Sequence, residues 1–538
     1  MSGGTWPNLV SMFFDQANRF GDAPFLWAKK DGAYRPLSWA RVADQVTGLR
    51  RGLKSLGVGP GDRVVVVSEN RPEWLIADLG IMAVGAITVP AYVTNTIEDH
   101  LHVLVDSGAE IAIVSTNRLA DRLLPAAEKA PDLRNVVIMS PLPGAGGRRI
   151  TLTTWAETIE GPGTGDDTIT EVSRLRRDDT ACIIYTSGTG GAPKGVMLSH
   201  YNVVSNIQQI GQAFALDRND RILGILPFFH SFGFTGTLWL PALLGSGAVY
   251  HPNPVDGRGI GELVGEHRAT FLLATPTFLQ IYIRACTPEQ FGSVEFVLAG
   301  AEKLPERLAA AFEDRFGLRP MEGYGTTETS PVVTINTRDF RSAGFRQVGA
   351  KRGSIGHPLP GMVARIVDPD TGARVALGQA GLLLVKGPNV MQGYLDQPEK
   401  TAEVLHDGWY TTGDIAAMDE DGFLAITDRL SRFSKIGGEM VPHIKVEENL
   451  HELAELTEQT FAVTGVPDEK KGERLVVLYQ NLDASAVESV AEKLGASDLP
   501  NIWKPRRDQF FEVDALPYLG TGKLDLKQIK LVAAELSP

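Results

Sequence analysis

The sequence predicts an α/β protein with a large N-terminal domain and a small α+β C-terminal domain. Short, nearly continuous apolar runs alternate with helical patterns over most of the chain. This is typical of mostly parallel sheets that are buried on both faces and flanked by helices. After about residue 360 the runs shorten and tight turns separate them, which predicts a β-rich subdomain. The segment from Asp428 to Gly438 is short, charged and glycine-ended, so we expect the domains to be 1–431 and 432–538.

The apolar runs of the N-terminal domain are predicted to be its strands. The most apolar stretch, Leu79–Val93, is shorter than a membrane span and contains glycine and proline, so we expect a buried helix followed by a strand. An amphipathic helix is expected over Glu302–Phe316, because the glycine after it is a typical end signal. The predicted strands are Arg63–Ser68, Ile111–Ser115, Val136–Ser140, Cys182–Tyr185, Ile222–Pro227, Phe271–Ala274 and Val294–Leu298.

The β-rich subdomain and the C-terminal domain are predicted from shorter patterns. In the C-terminal domain we expect a helix near Val446–Leu456. The predicted strands of these two regions are Val363–Val367, Leu382–Val385, Phe423–Ile426, Phe461–Val466 and Leu475–Gln480.

Composition limits the class of protein. The 538 residues include 52 Lys and Arg against 65 Asp and Glu, a net charge of −13. This balance argues against a nucleic-acid partner, which needs a basic surface, but it leaves room for a local phosphate site. Cys182 and Cys286 are too few for a disulfide framework or a structural zinc site. The start of the chain lacks a secretory-signal pattern, so we expect a cytoplasmic protein.

The strongest local motif runs from Tyr185 to Gly195, with the sequence YTSGTGGAPKG directly after a predicted strand. Its glycines, hydroxyls and lysine offer backbone N–H groups and a cation to an anion, which is how a loop binds phosphate. The motif matches neither the GxxxxGK[ST] nor the GxGxxG pattern, because Pro193 precedes Lys194 and Gly195 follows it. A flexible surface turn is the alternative interpretation.

This loop resembles the phosphate-binding signature of the adenylate-forming enzymes, which include acyl-CoA synthetases, firefly luciferase and peptide-synthetase adenylation domains. Further motifs of that family follow in the same order, and the resemblance spans the whole chain. They are Ser68–Trp74, Leu226–Gly233 (LPFFHSFG), Gly323–Pro331 (GYGTTETSP), Gly408–Asp414 (GWYTTGD), Asp428–Arg429 and Gly520–Lys523 (GTGK).

The resemblance implies a site for ATP and Mg²⁺. Glu328 would hold Mg²⁺, a hard cation that takes carboxylate, water and phosphate oxygens, and Thr327 would contact the α-phosphate. Asp414 would accept hydrogen bonds from two ribose hydroxyls, with support from Arg429. The residues implied for the β- and γ-phosphates are Lys194, Thr186, Ser187, Gly188, Thr189, Gly190 and Gly191. Those implied for adenine are Tyr324, its neighbours Gly325 and Thr326, and the wall formed by Gly300, Ala301 and Glu302.

The resemblance also implies two half-reactions at one site. Lys523 would enter the site in the first half-reaction and bridge the carboxylate and the α-phosphate. The C-terminal domain would then rotate about a hinge near Arg432, which is consistent with hinges being a few residues that absorb the backbone change. In the second orientation Lys435, Gly437 and Gly438 would line a tunnel for the pantetheine arm of coenzyme A.

The chemistry of the carboxylate substrate is predicted from the segment Leu226–Val255, which contains no Asp, Glu, Lys or Arg. An amino acid substrate would need a buried carboxylate partner, so the segment favours an apolar acyl chain such as a fatty acid. Core packing is the alternative explanation of its composition. His230 could orient the carboxylate, gate the tunnel or be a structural histidine. The aromatic residues of the segment are Phe228, Phe229, Phe232, Phe234, Trp239 and Tyr250.

Departures from the family pattern leave the thiol acceptor open. Gly190 stands where most relatives carry a polar residue, which should weaken nucleotide binding modestly, since a neutral hydrogen bond is worth ~0.5–1.5 kcal/mol. The hinge region and Leu298–Leu304 resemble the synthetase half of the bifunctional acyl-[acyl-carrier-protein] synthetase/2-acylglycerophosphoethanolamine acyltransferases. The expected acceptor is coenzyme A, with the phosphopantetheine of acyl carrier protein as the alternative. A non-catalytic nucleotide- or lipid-binding homologue is the alternative of another class. Peripheral membrane contact and the oligomeric state stay open.

Overall fold

A computed structural model describes residues 6–141, 149–160, 172–186, 193–429, 432–436, 439–456, 458–468, 472–518 and 524–537. Over these ranges the chain forms two large sheets, a two-stranded hairpin, a five-stranded sheet and a second five-stranded sheet near the C-terminus. Helices pack against the sheets, and the expected α/β class is confirmed.

The helices are short, and no helix in the described part of the chain combines the length and apolarity that crossing a membrane requires. Those of the first 440 residues are Leu9–Phe20, Trp39–Ser55, Pro72–Ala83, Ile97–Ser107, Asn117–Lys129, Trp155–Ile159, His200–Phe214, Ser231–Gly233, Phe234–Trp239 (a π-helix), Leu240–Leu244, Gly257–His267, Pro276–Ala285, Pro288–Phe291 (3₁₀), Glu306–Phe316, Thr327–Thr329 (3₁₀) and Pro398–Val404. Those that follow are His443–Leu453, Ala484–Ala496, Asn501–Trp503 (3₁₀), Arg507–Gln509 (3₁₀) and Leu526–Leu536.

The eight-stranded sheet contains the strands predicted in the first half of the chain. Its pairs are parallel from Thr180–Thr186 to the far edge, and the buried helix Pro72–Ala83 followed by the strand Ile87–Pro90 confirms the prediction for the most apolar stretch. In spatial order the strands are Gly393–Tyr394, Lys194–Ser199, Thr180–Thr186, Ile87–Pro90, Arg63–Val67, Ile111–Val114, Asn135–Ile138 and Thr151–Thr154.

The nine-stranded sheet contains the remaining predicted strands of this region. The ends of two predicted strands differ from the observed ends by one to three residues. One strand ends at Gly224, where the chain leaves the sheet, and the other begins only at Phe296. In spatial order the strands are His357–Pro358, Val332–Ile335, Met321–Gly325, Phe296–Ala299, Phe271–Ala274, Arg221–Gly224, Gly247–Tyr250, Pro24–Lys30 and Ala33–Ser38.

The helix predicted from Glu302 begins four residues later, at Glu306. Ala301 has a φ of +70°, which no residue of a right-handed helix adopts, and the backbone N–H of Leu304 donates to the Glu322 carboxylate at 3.1 Å. Pro305 then caps the helix. The segment before Glu306 is therefore a loop that belongs to the candidate site.

The two smaller sheets follow the predicted change of pattern. The helix predicted near Val446–Leu456 is observed three residues earlier, at His443–Leu453. The first sheet contains Val363–Val367, Gly381–Lys386, Trp409–Met418, Leu405–His406 and Leu424–Arg429. The second contains Glu439–Pro442, Phe433–Ile436, Gly472–Tyr479, Phe461–Asp468 and Phe510–Glu512, with two apolar cores whose buried residues all lie at or after Ile436. The two-stranded hairpin pairs Phe340–Ser342 with Phe345–Gln347.

Asp78 places a carboxyl group in the apolar core. It is fully buried on the helix Pro72–Ala83 and accepts a hydrogen bond from the indole N–H of Trp239 at 2.9 Å. Burial raises the pKa of Asp78 to about 7, although hydrogen bonds from Thr88 and Trp239 act in the opposite direction. The folded protein therefore holds this proton more strongly than the unfolded chain. The stability that the proton contributes is lost as the pH rises from about 4 through about 7.

We expect Asp78→Asn to flatten this pH dependence, because Asn cannot ionise and still offers Trp239 an acceptor. The free energy of unfolding of the natural protein should fall between about pH 5 and about pH 8 by ~2–3 kcal/mol more than that of the variant. Urea unfolding at both pH values measures the difference. An equal pH dependence in the two proteins would exclude Asp78 as the titrating group.

Candidate active site

The predicted phosphate loop joins two adjacent strands of the eight-stranded sheet. Thr180–Thr186 and Lys194–Ser199 are antiparallel, and their last described pair is Thr186 with Lys194. The loop therefore begins and ends at two of its predicted ligands. Ser187, Gly188, Thr189, Gly190 and Gly191 lie outside the described residues.

The Lys194 ammonium is positioned by an aromatic ring. Its Nζ lies 4.1 Å from the ring centroid of Tyr394, on the neighbouring strand Gly393–Tyr394. A cation over the face of an aromatic ring is attracted by the ring quadrupole. This contact directs the lysine toward the turn that carries Glu328, because the same tyrosine binds that turn.

Glu328 lies in the buried 3₁₀ turn Thr327–Thr329, and its Oε1 accepts a hydrogen bond from the Tyr394 hydroxyl at 2.9 Å. Two backbone contacts fix the turn. The N–H of Met391 donates to the carbonyl of Glu328 at 2.8 Å, and the side-chain amide of Asn389 donates to the carbonyl of Thr329 at 2.6 Å. Tyr394 thus joins the predicted metal ligand to the predicted phosphate lysine.

The donor set at Glu328 fits Mg²⁺ as a single protein carboxylate. Mg²⁺ usually keeps several waters and is bound through one or two carboxylates together with substrate phosphates. No cluster of three or more His, Cys, Asp or Glu side chains that could hold a metal occurs in the described ranges. The described residues therefore do not form a complete Mg²⁺ site from protein ligands alone. They fit an ion that is also coordinated by the phosphates of a nucleotide.

Tyrosines surround the Glu328 carboxylate and stay protonated. Burial, followed by the negative charge of Glu328, raises the pKa of Tyr394 and of Tyr410 above the ordinary value. Tyr410 also hydrogen-bonds with the side chains of Thr326 and Tyr394. The phenols therefore remain donors at neutral pH.

The predicted adenine and ribose residues are in direct contact. The Tyr324 hydroxyl donates a short hydrogen bond to Oδ2 of Asp414, and Asp414 is 2% exposed. Asp414 lies opposite Arg429 across the antiparallel strands Trp409–Met418 and Leu424–Arg429. The Arg429 side chain lies outside the described residues. The register nevertheless places its backbone next to the predicted ribose acceptor.

Gly300, Ala301 and Glu302 follow the strand Phe296–Ala299 and lie beside Tyr324. The strands are parallel, with Ala299 opposite Glu322, so the next residue along each strand reaches the same edge of the sheet. A Cβ at Gly300 would lie 3.1 Å from the ring of Phe232, so a larger residue at this position would require that ring to shift. Glu302 accepts a hydrogen bond from the Thr277 hydroxyl at 2.9 Å.

Gly325 and Thr326 turn the chain from Tyr324 toward Glu328. A Cβ at Gly325 would lie 1.9 Å from the carbonyl oxygen of Pro331, and the N–H of Thr326 donates to that oxygen at 3.0 Å. Only glycine permits this approach.

The turn that carries His230 meets the phosphate residues. His230 caps the short helix Ser231–Gly233. The hydroxyls of Ser231 and Thr327 lie 3.1 Å apart in a buried hydrogen bond, and Phe232 contacts Gly300. The residue predicted to orient the carboxylate is therefore next in sequence to one that contacts the predicted α-phosphate ligand.

Core packing explains four of the six aromatic residues in the segment after Leu226. Phe228, Phe234, Trp239 and Tyr250 are at most 1% exposed. Phe228 and Phe234 both make edge contacts with Trp74, at centroid distances of 5.9 Å. Phe229 and Phe232 each retain 8% exposure and flank His230.

The residues expected from the mobile domain are described only in part. Gly437, Gly438, Lys523 and the side chain of Lys435 lie outside the described residues. Tyr518 and Leu524, which flank the segment with Lys523, pair in an antiparallel bridge. Burial, followed by the negative charges of Glu302 and Glu447, raises the pKa of Tyr518.

Comparison with known proteins identifies the family. Residues 13–395 match the family described as AMP-binding enzyme. The chain belongs to the AMP-binding enzyme family. A feruloyl-CoA synthase from an Amycolatopsis species is 31% identical, over 97% of both chains. A long-chain-fatty-acid–CoA ligase from Bacillus subtilis (strain 168) is 32% identical, over 96% of this chain and 93% of the ligase. The resemblance to adenylate-forming enzymes is confirmed, and the protein is an adenylate-forming member of the CoA ligase family.

Solved structures share the architecture of this AMP-binding enzyme. ATP-bound MatB from Rhodopseudomonas palustris superposes with a TM-score of 0.81 at 25% identity, covering 99% of this chain and 100% of MatB. The anthranilate CoA ligase AuaEII, in complex with anthranoyl-AMP, gives a TM-score of 0.85 at 22% identity, covering 99% of this chain and 98% of AuaEII. At that identity the second likeness concerns the fold alone.

The motifs of this AMP-binding enzyme do not predict the roles of Tyr394, Asn389 and Ser231. Asn389 and Tyr394 lie in the segment Gly387–Tyr394, which carries no charge and no recognisable phosphate pattern. Their roles depend on contacts with residues about 60 positions earlier in the chain. The sequence offered two signals for these roles. They are the side-chain amide of Asn389 and the phenol of Tyr394, each of which stands next to a residue that favours turns.

We expect Tyr394→Phe to slow acyl-adenylate formation by about tenfold to a hundredfold. A hydrogen bond to a charged group is worth ~1.5–3 kcal/mol, and Phe removes the donor to Glu328 while keeping a ring beneath Lys194. Pyrophosphate release measured over a Mg²⁺ titration should show a raised Mg²⁺ requirement. Tyr282→Phe is the matched control, because its hydroxyl donates only to a backbone carbonyl, that of Pro254, at 2.8 Å. Equal losses in both variants would contradict the role of Tyr394.

Proposed function

We propose that this AMP-binding enzyme is an ATP-dependent fatty acid–CoA ligase. It would activate a fatty carboxylate as acyl-AMP with release of pyrophosphate, and then transfer the acyl group to the thiol of coenzyme A. The hydrogen bond between Ser231 and Thr327 is the main support, because it sets the His230 turn against the turn predicted to bind the α-phosphate. Substrate carboxylate and ATP would meet at this contact.

The site residues can perform the first half-reaction by screening charge. A carboxylate oxygen attacks the α-phosphorus, and the bond from that phosphorus to the pyrophosphate oxygen breaks. Both reactants are anionic, so preorganised cations and donors at the developing charge lower the barrier. Lys194 would bind the β- and γ-phosphates, Thr327 the α-phosphate, and Asp414 the ribose. Glu328 would hold Mg²⁺, whose positive charge neutralises phosphate oxygens when it is bound.

In the second half-reaction the thiol sulfur attacks the acyl carbon, and AMP leaves with the electron pair of the broken acyl–oxygen bond. We infer that the domains are 1–431 and 432–538, and that the second rotates between the two steps. The ion pairs Arg284–Glu458, at 2.5 Å, and Lys303–Glu448 join the two parts. Their partners are between one third and two thirds exposed, so each pair is worth only ~0–1 kcal/mol. Such contacts can break in every catalytic cycle.

The preference for a fatty acid is supported by the charge-free segment around His230 and by the Bacillus relative. The similarity to a feruloyl-CoA synthase from Amycolatopsis makes an aromatic acid the second candidate.

The decisive experiment compares acids and acceptors in parallel. Palmitate, ferulate and 4-coumarate are each offered with ATP and Mg²⁺, together with coenzyme A or phosphopantetheinylated acyl carrier protein. Palmitoyl-CoA as the dominant product supports the proposal, and feruloyl- or coumaroyl-CoA overturns the substrate class. Product formed only on the carrier protein overturns the proposal that coenzyme A is the acceptor. Absence of any adenylate would favour a non-catalytic nucleotide- or lipid-binding protein.

A further inference from the structure

The hairpin Phe340–Gln347 has two chemically different faces. Phe340 pairs with Gln347, Arg341 with Arg346, and Ser342 with Phe345. Directly opposed residues point to the same side of a two-stranded sheet, and successive residues alternate. Phe340 and Phe345 therefore share one face, and both arginines share the other. The aromatic rings contact each other, with centroids 6.0 Å apart.

The aromatic face is turned to solvent. Phe340 is 57% exposed and Phe345 55%, and Val348, just after the hairpin, is 45% exposed. These three side chains are among the few large hydrophobic residues exposed over the described ranges, and they lie within one short segment. Single exposed apolar residues are ordinary, but a grouped set marks an interaction surface.

The base of the hairpin is fixed, so the exposed rings are held in place. The N–H of Thr337 donates to the carbonyl of Gly349 at 2.8 Å. The Arg338 guanidinium lies 3.9 Å from the ring centroid of Phe296 and donates to the carbonyl of Glu295 at 2.8 Å. Phe296 opens a strand of the nine-stranded sheet, which ties the hairpin to the body of the protein.

The arginine face is also held in place. Arg341 and Arg346 lie opposite each other, where like charges repel, and both approach Asp339, at 3.8 and 3.1 Å. Their side chains nevertheless remain 71% and 61% exposed. Two arginines sharing one carboxylate leave a positive charge on the face opposite the aromatic pair, on a protein whose net charge is −13.

We propose that this hairpin docks on the surface of an anionic lipid bilayer. Phe340 and Phe345 would enter the boundary between headgroups and acyl chains, where aromatic rings are favoured, and the long side chains of Arg341 and Arg346 would extend from the opposite face past the edge of the hairpin to lipid phosphates. The hairpin lies at the edge of the nine-stranded sheet where the strand Phe296–Ala299 begins, and Gly300 follows the other end of that four-residue strand, so the contact would hold the enzyme at a membrane without covering the site. The benefit to the enzyme rests on the proposed fatty acid substrate, since such acids partition into bilayers.

Vesicle co-sedimentation of the full chain tests the proposal. Vesicles of phosphatidylcholine alone are compared with vesicles of equal parts phosphatidylcholine and phosphatidylglycerol, without ATP or substrate. The natural chain should bind the anionic vesicles. Phe340→Ser/Phe345→Ser should weaken that binding about tenfold, because two apolar rings no longer leave water. Arg341→Gln/Arg346→Gln should weaken it about fivefold on anionic vesicles only, and added salt should reproduce this loss.

The matched control is Val363→Ser/Leu377→Ser, which removes two apolar side chains that are 54% and 63% exposed elsewhere on the surface. It should bind as the natural chain does. Unchanged thermal unfolding of the Phe340→Ser/Phe345→Ser variant establishes that it folds. Equal binding by all variants, or no vesicle binding by the natural chain, overturns the proposal. The proposal is also overturned if the hairpin is needed for binding to acyl carrier protein but not for binding to vesicles.

The two proposals can fail separately. Vesicle binding is measured without catalysis, so hairpin-dependent binding together with inactivity toward palmitate refutes the fatty acid substrate and supports the lipid contact. Palmitoyl-CoA formation with no vesicle binding refutes the lipid contact and supports the substrate.

Discussion

Lys523→Ala is expected to slow acyl-adenylate formation by about 10²–10³-fold and to leave thioester formation from preformed acyl-adenylate near its natural rate. A donor aimed at developing charge contributes ~3–4 kcal/mol, and Lys523 is predicted to contact the carboxylate and the α-phosphate only in the first half-reaction. Pyrophosphate release measures the first step, and thioester formation from synthetic palmitoyl-AMP measures the second.

Lys527→Ala is the matched control for this prediction. Lys527 is an exposed lysine in the helix Leu526–Leu536, a few residues after Lys523, and it should be replaceable without effect on either step. Equal losses in the two half-reactions of Lys523→Ala would contradict the assignment, because they would indicate a lysine needed in both orientations or a damaged domain. A loss of rate confined to thioester formation would assign Lys523 to the second half-reaction instead.

The sequence predicted the large sheets well because burial determined their strands. Arg63–Val67 and Ile111–Val114 are almost entirely buried, so an uninterrupted apolar run was sufficient to locate them. Failures occurred where tertiary contacts override the local pattern. The amphipathic pattern suggested a helix from Glu302. The N–H of Leu304 instead donates to the Glu322 carboxylate, and the helix starts at Glu306.

Motifs predicted which residue types form the site, but not how they contact one another. The hydrogen bonds Tyr324–Asp414 and Ser231–Thr327 join residues more than 80 positions apart in the chain. No local pattern encodes such pairs, because they depend on how the sheets pack. The same limit applies to Tyr394, whose contacts with Lys194 and Glu328 exist only after three separate segments meet.

The buried carboxyl of Asp78 was missed for a different reason. The segment after Leu226 lacks acidic residues, which predicted surroundings without a carboxylate. The carboxylate comes instead from an earlier helix and hydrogen-bonds with Trp239 of that segment. A charge-free segment therefore does not by itself define a charge-free environment.

Glu328→Gln is expected to slow acyl-adenylate formation by about 10²–10³-fold and to raise the Mg²⁺ concentration needed for half-maximal rate. Gln keeps an oxygen that can accept from the Tyr394 hydroxyl, and the backbone contacts of the turn with Met391 and Asn389 do not involve the carboxylate. The turn should therefore stay in place while the negative charge is lost. Charge stabilisation of this kind is usually the largest single contribution to catalysis. Pyrophosphate release over a Mg²⁺ titration measures both effects.

The double variant Glu328→Gln/Tyr394→Phe distinguishes a charge role from a structural one. If Tyr394 acts by orienting the charged carboxylate, removing its hydroxyl should add little once that charge is gone, so the two effects should be strongly non-additive. If Tyr394 instead acts by holding Lys194 through its ring, Phe retains that contact and the single variant should be nearly silent. Full additivity would indicate two independent roles. A Glu328→Gln protein with a natural Mg²⁺ dependence would remove Glu328 from the metal site, because its charge would then be irrelevant to the ion.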